Sequence, residues 1–145
     1  MQQTHTLGLQ LHADTGMKNI GHLAGRLIFG GFFLYNGINH IIHKDQLVPY
    51  ASAKKIPVPE VAVLGTGGLL IASGLSLVLG LKPRLGAAGV IAFLAAVSPA
   101  MHNFWEHEDP GQRQNDMIHF SKNMAMLGAA LALLGMEKWP HSVAD

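Results

Sequence analysis

Four long apolar stretches alternate with short polar segments along the chain. They cover about residues 21–42, 61–81, 85–105 and 117–136. Each has about 20 residues, the length that a helix needs to cross a hydrocarbon core of ~30 Å. Any one stretch alone is also compatible with a buried helix of a soluble domain. Four of them in 145 residues leave too little polar chain to cover a soluble core, so the pattern predicts four transmembrane helices.

The polar segments between these stretches are short and contain proline. Lys82-Pro83-Arg84 leaves room only for an antiparallel turn between the second and third helices, and Asp109-Pro110-Gly111 predicts another turn. The predicted fold is all-α: a four-helix transmembrane bundle, up-down-up-down, with both termini on the same side. We expect a polar N-terminal tail over residues 1–19, the membrane domain over 20–138 and a C-terminal tail over 139–145.

The composition supports a membrane location and narrows the classes of molecule that are expected as partners. Charged residues make up 13% of the chain, against about 25% in a typical soluble domain. The net charge is +1 and there is no basic patch, so we expect no nucleic-acid partner. The expected partners are the lipid bilayer and, through lateral helix faces, other membrane protein subunits. Basic residues are balanced between the two sides, and only the distribution of acidic residues favours termini on the inside.

Histidine is frequent, with nine residues, and most of the histidines end or begin predicted helices. The up-and-down topology would bring five of them to one membrane face, together with a glutamate four residues after His102. His102 and this glutamate share a helix face if the helix continues that far. The candidate site consists of His40, His43, His102, Glu106, His107 and His119.

Several kinds of chemistry fit these residues. Histidine and glutamate from several helices can bind zinc, iron or copper, although the HEXXH and EXXH motifs are absent. Histidine and asparagine can instead bind the carbonyl oxygens of a quinone or another hydrophobic ligand, and two histidines can ligate a haem. The simplest alternative is that these side chains hydrogen-bond to one another and to lipid headgroups. The possible cofactors are therefore a metal ion, bound by the same histidines, or a quinone, and none is certain.

Two charged residues lie within apolar stretches. Arg26 is about one turn inside the first stretch, and Lys122 is at a similar depth in the fourth. Charges at such positions are costly and are usually paired, so we expect both to have structural roles. The expected partner of Arg26 is Glu137. The expected partners of Lys122 are Glu60, Glu106 and Asp116.

Glycines inside the stretches predict close helix contacts, because small residues let backbones approach within a membrane. The pair Gly21 and Gly25, four residues apart, and the cluster Gly65, Gly67 and Gly68 are the clearest candidates.

Four segments resemble the DoxX family of small four-helix membrane proteins. These are Arg26 to Gly37, Gly67 to Gly74 with Gly80, His102 to Trp105, and Lys122 to Gly128. They occur in the family's order and spacing over about residues 23–135. Two departures are visible: Gly65-Thr66-Gly67-Gly68 lacks the acidic residue that is common there, and His40 follows Gly37 where many relatives have a lysine nearby.

The resemblance implies a multi-pass protein of the bacterial inner (plasma) membrane that accompanies oxidoreductases. Some relatives are linked to a thiosulfate:quinone oxidoreductase. The predicted function is therefore a non-catalytic accessory subunit of a redox or respiratory-type membrane complex. The alternative is a membrane redox or ligand-binding protein that uses the histidine-rich face. If the chain is part of an enzyme, we expect an oxidoreductase component.

Overall fold

The computed structural model describes the backbone of residues 2–144, and the surroundings of the side chains at positions 6, 8, 9 and 15–144. The described chain forms five α-helices. These are α1 (Gln2–Ile42), α2 (Lys44–Ala53), α3 (Pro59–Leu79), α4 (Pro83–Met101) and α5 (Pro110–Leu134). A short 3-10 helix, Phe104–Glu106, lies between α4 and α5. The predicted all-α class is confirmed.

Within the described part of the chain, three helical segments are long and apolar enough to cross a membrane. They are Pro59–Leu79, Pro83–Glu106 and Pro110–Leu134, with mean hydropathies of 2.0, 1.6 and 1.3. The first predicted span is not among them, because polar residues such as His22, Arg26 and Asn36 lower the hydropathy of α1. Length and hydropathy therefore support the second, third and fourth predicted spans, and the first predicted span, in α1, stays a prediction.

Helices α1 and α3 pack closely through glycines on both sides. A Cβ atom on Gly74 would lie 2.5 Å from the backbone nitrogen of Leu34, and one on Gly37 would lie 2.8 Å from the carbonyl oxygen of Gly67. Later residues of α1 thus meet earlier residues of α3, so the two helices run antiparallel. Small residues allow this close contact where lipid provides no hydrophobic drive for association.

The glycines that form this contact differ from most of those predicted. Gly21, Gly25, Gly65 and Gly68 face open space, and only Gly67 of the predicted set lies in the contact. The spacing of glycines along the sequence did not reveal which face of α1 turns toward α3.

The remaining helices pack in chain order. Gly86 of α4 lies against Ser73 and Ser76 of α3, and Arg84 at the start of α4 donates to the carbonyl of Met136, just after α5, at 2.8 Å. These contacts make α4 antiparallel to both α3 and α5. The core between the helices consists of Phe33, Leu70, Leu77, Ala87, Val90, Leu94, Ala130 and Trp139.

The helix bounds differ from the apolar stretches in ways that matter for the site. Residues 44–53 form α2, which was not predicted, and the backbone of residues 2–19 is helical and continuous with α1. Helix α4 ends at Met101, so Glu106 lies in the 3-10 helix and does not share a helix face with His102. Helix α5 begins at Pro110, because the Asp109 carboxylate caps it by accepting from the Gln112 amide at 2.8 Å.

Candidate functional site

A buried carboxylate organises one end of the helices. The Asp116 side chain is 8% exposed. Its Oδ2 accepts from Lys54 Nζ at 2.9 Å and from His107 Nε2 at 2.6 Å, and its Oδ1 accepts from His102 Nδ1 at 3.2 Å. We call these four residues the Asp116 cluster. An ionised carboxylate only accepts hydrogen bonds, so each of the three nitrogens donates.

The Asp116 cluster joins elements that are distant along the chain. Lys54 follows α2, His102 follows α4, His107 follows the 3-10 helix, and Asp116 lies in the second turn of α5. Charge-assisted hydrogen bonds of this kind are stronger than neutral ones and offset the cost of burying the carboxylate. The cluster therefore fixes the connections α2–α3 and α4–α5 to the body of the protein.

His119 and Lys122 extend this polar region along α5. The rings of His102 and His119 stack, with centroids 5.0 Å apart and planes at 17°. Lys122 Nζ lies 3.4 Å from His119 Nδ1, and the lysine is exposed.

The predicted ion pairs of Lys122 are wrong. Asp116 pairs with Lys54, and Glu60 pairs with Lys44 at 3.4 Å. Glu106 is exposed and accepts a hydrogen bond from Asn103. All three acidic candidates thus have other partners, and within the described part of the chain Lys122 contacts its helix neighbour His119.

A cavity of about 510 Å³ lies beside the Asp116 cluster, lined by residues of all five α-helices. Its walls are mainly apolar, with Phe33, Leu94 and Met126 among the lining side chains. Helix α2 adds Leu47, Tyr50 and Ala51 from one of its faces. The lining side chains with polar groups are Asn36, His40, Tyr50, Thr66, His102, Lys122 and Asn123. A mostly apolar cavity with a few polar groups is typical of small-molecule sites.

His40 is held at the cavity wall by α3. Its Nδ1 lies 3.1 Å from Thr66 Oγ1 and 3.4 Å from the carbonyl oxygen of Val63. Gly67 permits this approach, because a Cβ there would lie 2.9 Å from the His40 Cβ. The close α1–α3 contact therefore positions the imidazole.

Asn123 is the polar lining residue that the sequence analysis missed. It is 7% exposed, and its amide has no hydrogen-bond partner among the residues that the structure describes. Neither amide atom is fully enclosed by protein atoms, so both are open to a hydrogen bond with a ligand. The signal in the sequence was an asparagine in the middle of an apolar stretch.

The six predicted site residues separate into distinct environments. His102, His107 and His119 come together around Asp116, and His40 lies in the cavity lining. His43 is exposed before α2 and Glu106 is exposed in the 3-10 helix. Over the described residues, no group of three or more His, Cys, Asp or Glu side chains is arranged to hold a metal ion. In the Asp116 cluster the histidines donate to the carboxylate.

At the opposite end of the helices, Arg26 is buried and 2% exposed. Its Nη1 donates to the Pro140 carbonyl at 3.0 Å and to Ser142 Oγ at 3.2 Å, and its Nη2 donates to the His141 carbonyl at 3.0 Å. Glu137, the predicted partner, forms no ion pair with Arg26 among the described contacts. The guanidinium is thus satisfied largely by backbone of the C-terminal segment.

This segment, residues 139–144, is docked on the turn between α3 and α4. The Val143 amide donates to the Gly80 carbonyl at 3.2 Å, and the Lys82 amide donates to the Ala144 carbonyl at 2.7 Å. Trp139 is buried in the core, and its ring meets the ring of His22 edge-on at 5.4 Å. These contacts keep the acceptors of Arg26 in place.

Comparison with known proteins identifies the chain at the family level. The family model for DoxX matches residues 21–103, which include most of α1 and all of α2, α3 and α4. Neither a search of curated proteins nor a search of solved structures found a match. Helix α5, with Asp116 and Asn123, follows the matched region. Because the match covers more than half of the 145 residues, the chain belongs to the DoxX family.

Proposed function

We propose that this protein binds a small amphiphile of the quinone class in the cavity lined by His40 and Asn123. The observation that carries the proposal is the cavity itself, about 510 Å³ with mainly apolar walls and an unpartnered, buried amide. Its volume falls in the range of about 300–1,000 Å³ that is usual for small-molecule sites. An apolar ring and tail would contact the walls, and a polar head would meet the amide.

In the proposed arrangement, α1, α3, α4 and α5 cross the membrane as an up-and-down bundle with both termini on one side. The antiparallel contacts of α1 with α3 and of α4 with α3 and α5 support this topology. The cavity then opens near one membrane face, at the end that holds α2. The family resemblance supports a bacterial inner membrane.

The test is binding of decylubiquinone to the detergent-purified protein. Ala96→Phe places a ring in the cavity lining, and Ala95→Phe on the adjacent residue, outside the lining, is the matched control. We expect Ala96→Phe to weaken binding at least tenfold and Ala95→Phe to leave it unchanged. Equal binding by both variants, or no binding by the unmodified protein, would contradict the proposal.

A second candidate function is that of a non-catalytic accessory subunit of a membrane redox complex. Membership of the DoxX family favours it, since the resemblance implies association with oxidoreductases. Large apolar side chains exposed on the helices, such as Ile28, Tyr35 and Ile118, are available to lipid or to neighbouring subunits. Native mass spectrometry after gentle extraction tests this role. We expect an assembly with a redox enzyme, and a mass of the chain plus lipid alone under every mild condition would exclude it.

A further inference from the structure

We propose that the cavity selects the reduced, hydroxyl-bearing form of its ligand, because His40 presents an unprotonated ring nitrogen to it. The inference rests on the proposed function and adds its chemical selectivity. The ligand class is an apolar molecule whose polar head donates a hydrogen bond, such as a quinol or a phenol. The oxidised quinone, which has carbonyl oxygens at the same positions, is the weaker ligand.

The first step is the position of the proton on His40. Nδ1 faces the Val63 carbonyl and the Thr66 hydroxyl. The hydroxyl has one hydrogen, which it donates to a backbone carbonyl, that of Ala62 at 2.7 Å or that of Val63 at 3.1 Å. The 2.7 Å contact with the Ala62 carbonyl is shorter than the 3.1 Å contact with Nδ1, so we assign the hydroxyl hydrogen to Ala62. Nδ1 then carries the imidazole hydrogen and donates it toward the Val63 carbonyl and the hydroxyl oxygen.

The second step is the charge of the ring. A neutral imidazole has one N–H, so a proton on Nδ1 leaves a lone pair on Nε2. Placing a charge among apolar walls is costly, and Lys122 already brings one positive charge to the same cavity. No carboxylate is in the lining of this cavity. The neutral form of His40 is therefore favoured.

The third step is that the lone pair on His40 Nε2 is free to accept a hydrogen bond. Nε2 forms no hydrogen bond with any residue in the described part of the chain. It is not fully enclosed by protein atoms. A ligand hydroxyl can donate to it. A carbonyl oxygen at the same place would bring two lone pairs together and leave both groups unsatisfied.

Asn123 does not impose the same choice, because its amide both donates and accepts. Asn123 can thus contact the ligand in either redox form. Lys122 only donates and would favour a carbonyl, but it is exposed and lies 3.4 Å from His119 Nδ1, so we assign the selectivity to His40. One such hydrogen bond corresponds to roughly three- to tenfold in affinity. Tenfold tighter binding of the reduced form would raise the two-electron midpoint potential of the bound ligand by about 30 mV.

The experiment compares matched ligands on the detergent-purified full chain. The first pair is decylubiquinol and decylubiquinone under anaerobic conditions. The second pair is para-heptylphenol and para-heptylanisole, which have similar shape and differ in the donor. We expect the quinol and the phenol each to bind roughly three- to tenfold tighter than its partner.

Three variants and two control variants locate the origin of this preference. His40→Leu should remove it, whereas His43→Leu, the same change at an exposed histidine outside the cavity, should keep it. Thr66→Val removes one acceptor of Nδ1 and should reduce the preference. Asn123→Leu should weaken both members of each pair equally, and Asn115→Leu, at an exposed position, is its control.

The outcomes separate this inference from the proposed function. Binding of neither member of either pair contradicts the proposed function, and the inference with it. Binding of both members with equal affinity, or tighter binding of the quinone and the anisole, leaves the proposed function intact and overturns the inference. A preference that persists in His40→Leu also overturns it.

Discussion

The two ends of the helical assembly each bury one charge, and they stabilise it differently. At one end, the Arg26 guanidinium donates to the carbonyls of Pro140 and His141 and to the Ser142 hydroxyl. At the other end, the Asp116 carboxylate accepts from three side-chain nitrogens on two connecting segments, α2–α3 and α4–α5. The first charge is held mainly by backbone, and the second entirely by side chains.

This difference predicts how each end of the protein tolerates substitutions and deletions. A backbone carbonyl is present whatever the residue, so the sequence of residues 140–142 can vary as long as the segment stays docked. The Asp116 cluster needs a lysine and two histidines at defined positions. Arginine stays charged at all physiological pH values, whereas histidine changes its charge near neutral pH. The Arg26 end is therefore sensitive to loss of the segment, and the Asp116 end is sensitive to single substitutions.

The largest effect should come from deleting residues 140–145. Arg26 would lose three hydrogen-bond acceptors, and removing the partners of a buried charge costs about 3–5 kcal/mol. Unfolding in mixed micelles, followed by helical circular dichroism, measures the loss. The same deletion combined with Arg26→Met should be less destabilising, and additive effects of the two changes would contradict the assigned contacts.

The next largest effect should come from Asp116→Asn. The amide keeps the shape of the side chain but removes the negative charge from three charge-assisted or strong hydrogen bonds, at a cost of about 2–3 kcal/mol. Asp109→Asn, the same change in the same helix region, should be neutral because asparagine caps helices as well as aspartate. Equal destabilisation of both variants, measured in the same unfolding assay, would argue against the Asp116 cluster.

A smaller effect is expected for Lys54→Met. Lys54 is partly exposed, with 17% of its side chain accessible, and its removal leaves Asp116 with two histidine donors. We expect a loss of about 1–2 kcal/mol. In a double-mutant cycle with Asp116→Asn, the combined loss should be smaller than the sum by about 0.5 kcal/mol or more. Independent losses would show that the 2.9 Å contact is not energetically coupled.

The smallest effect should come from Ser142→Ala. The two carbonyl acceptors of Arg26 remain, so stability should change by less than about 0.5 kcal/mol. The thermal midpoint in detergent is a sufficient measurement. A loss as large as that of the deletion would mean that the serine hydroxyl, and not the backbone, holds the guanidinium.

At the Arg26 end, the sequence indicated the role of the charge but not its partners. Its position in an apolar stretch indicated a buried, structural charge. Its partners could not be identified because a backbone carbonyl has no sequence signature, and Glu137 was the nearest acidic residue in the expected place. The same applies to α2, a short helix with a proline inside it, which has no long apolar stretch to predict it.

At the other end, the sequence predicted that five histidines from three helices lie near one membrane face. Three of them, His102, His107 and His119, lie close together, whereas the two from α1 and its end do not join them: His40 lines the cavity and His43 is exposed. Asp116, their centre, was only one of many acidic residues near a helix terminus. Its importance depends on α5 beginning at Pro110, which places Asp116 within the helix rather than before it. His102 and Glu106 would share a helix face only if the helix continued that far, and α4 ends at Met101.

The long separation between Arg26 and its acceptors also bears on biosynthesis. Pro140 lies 114 positions after Arg26, and a ribosome makes α1 long before residues 140–142. The first helix is therefore made without these acceptors and receives them only when the last segment docks on the α3–α4 turn. Chains that end before this segment would leave the Arg26 guanidinium without these three acceptors.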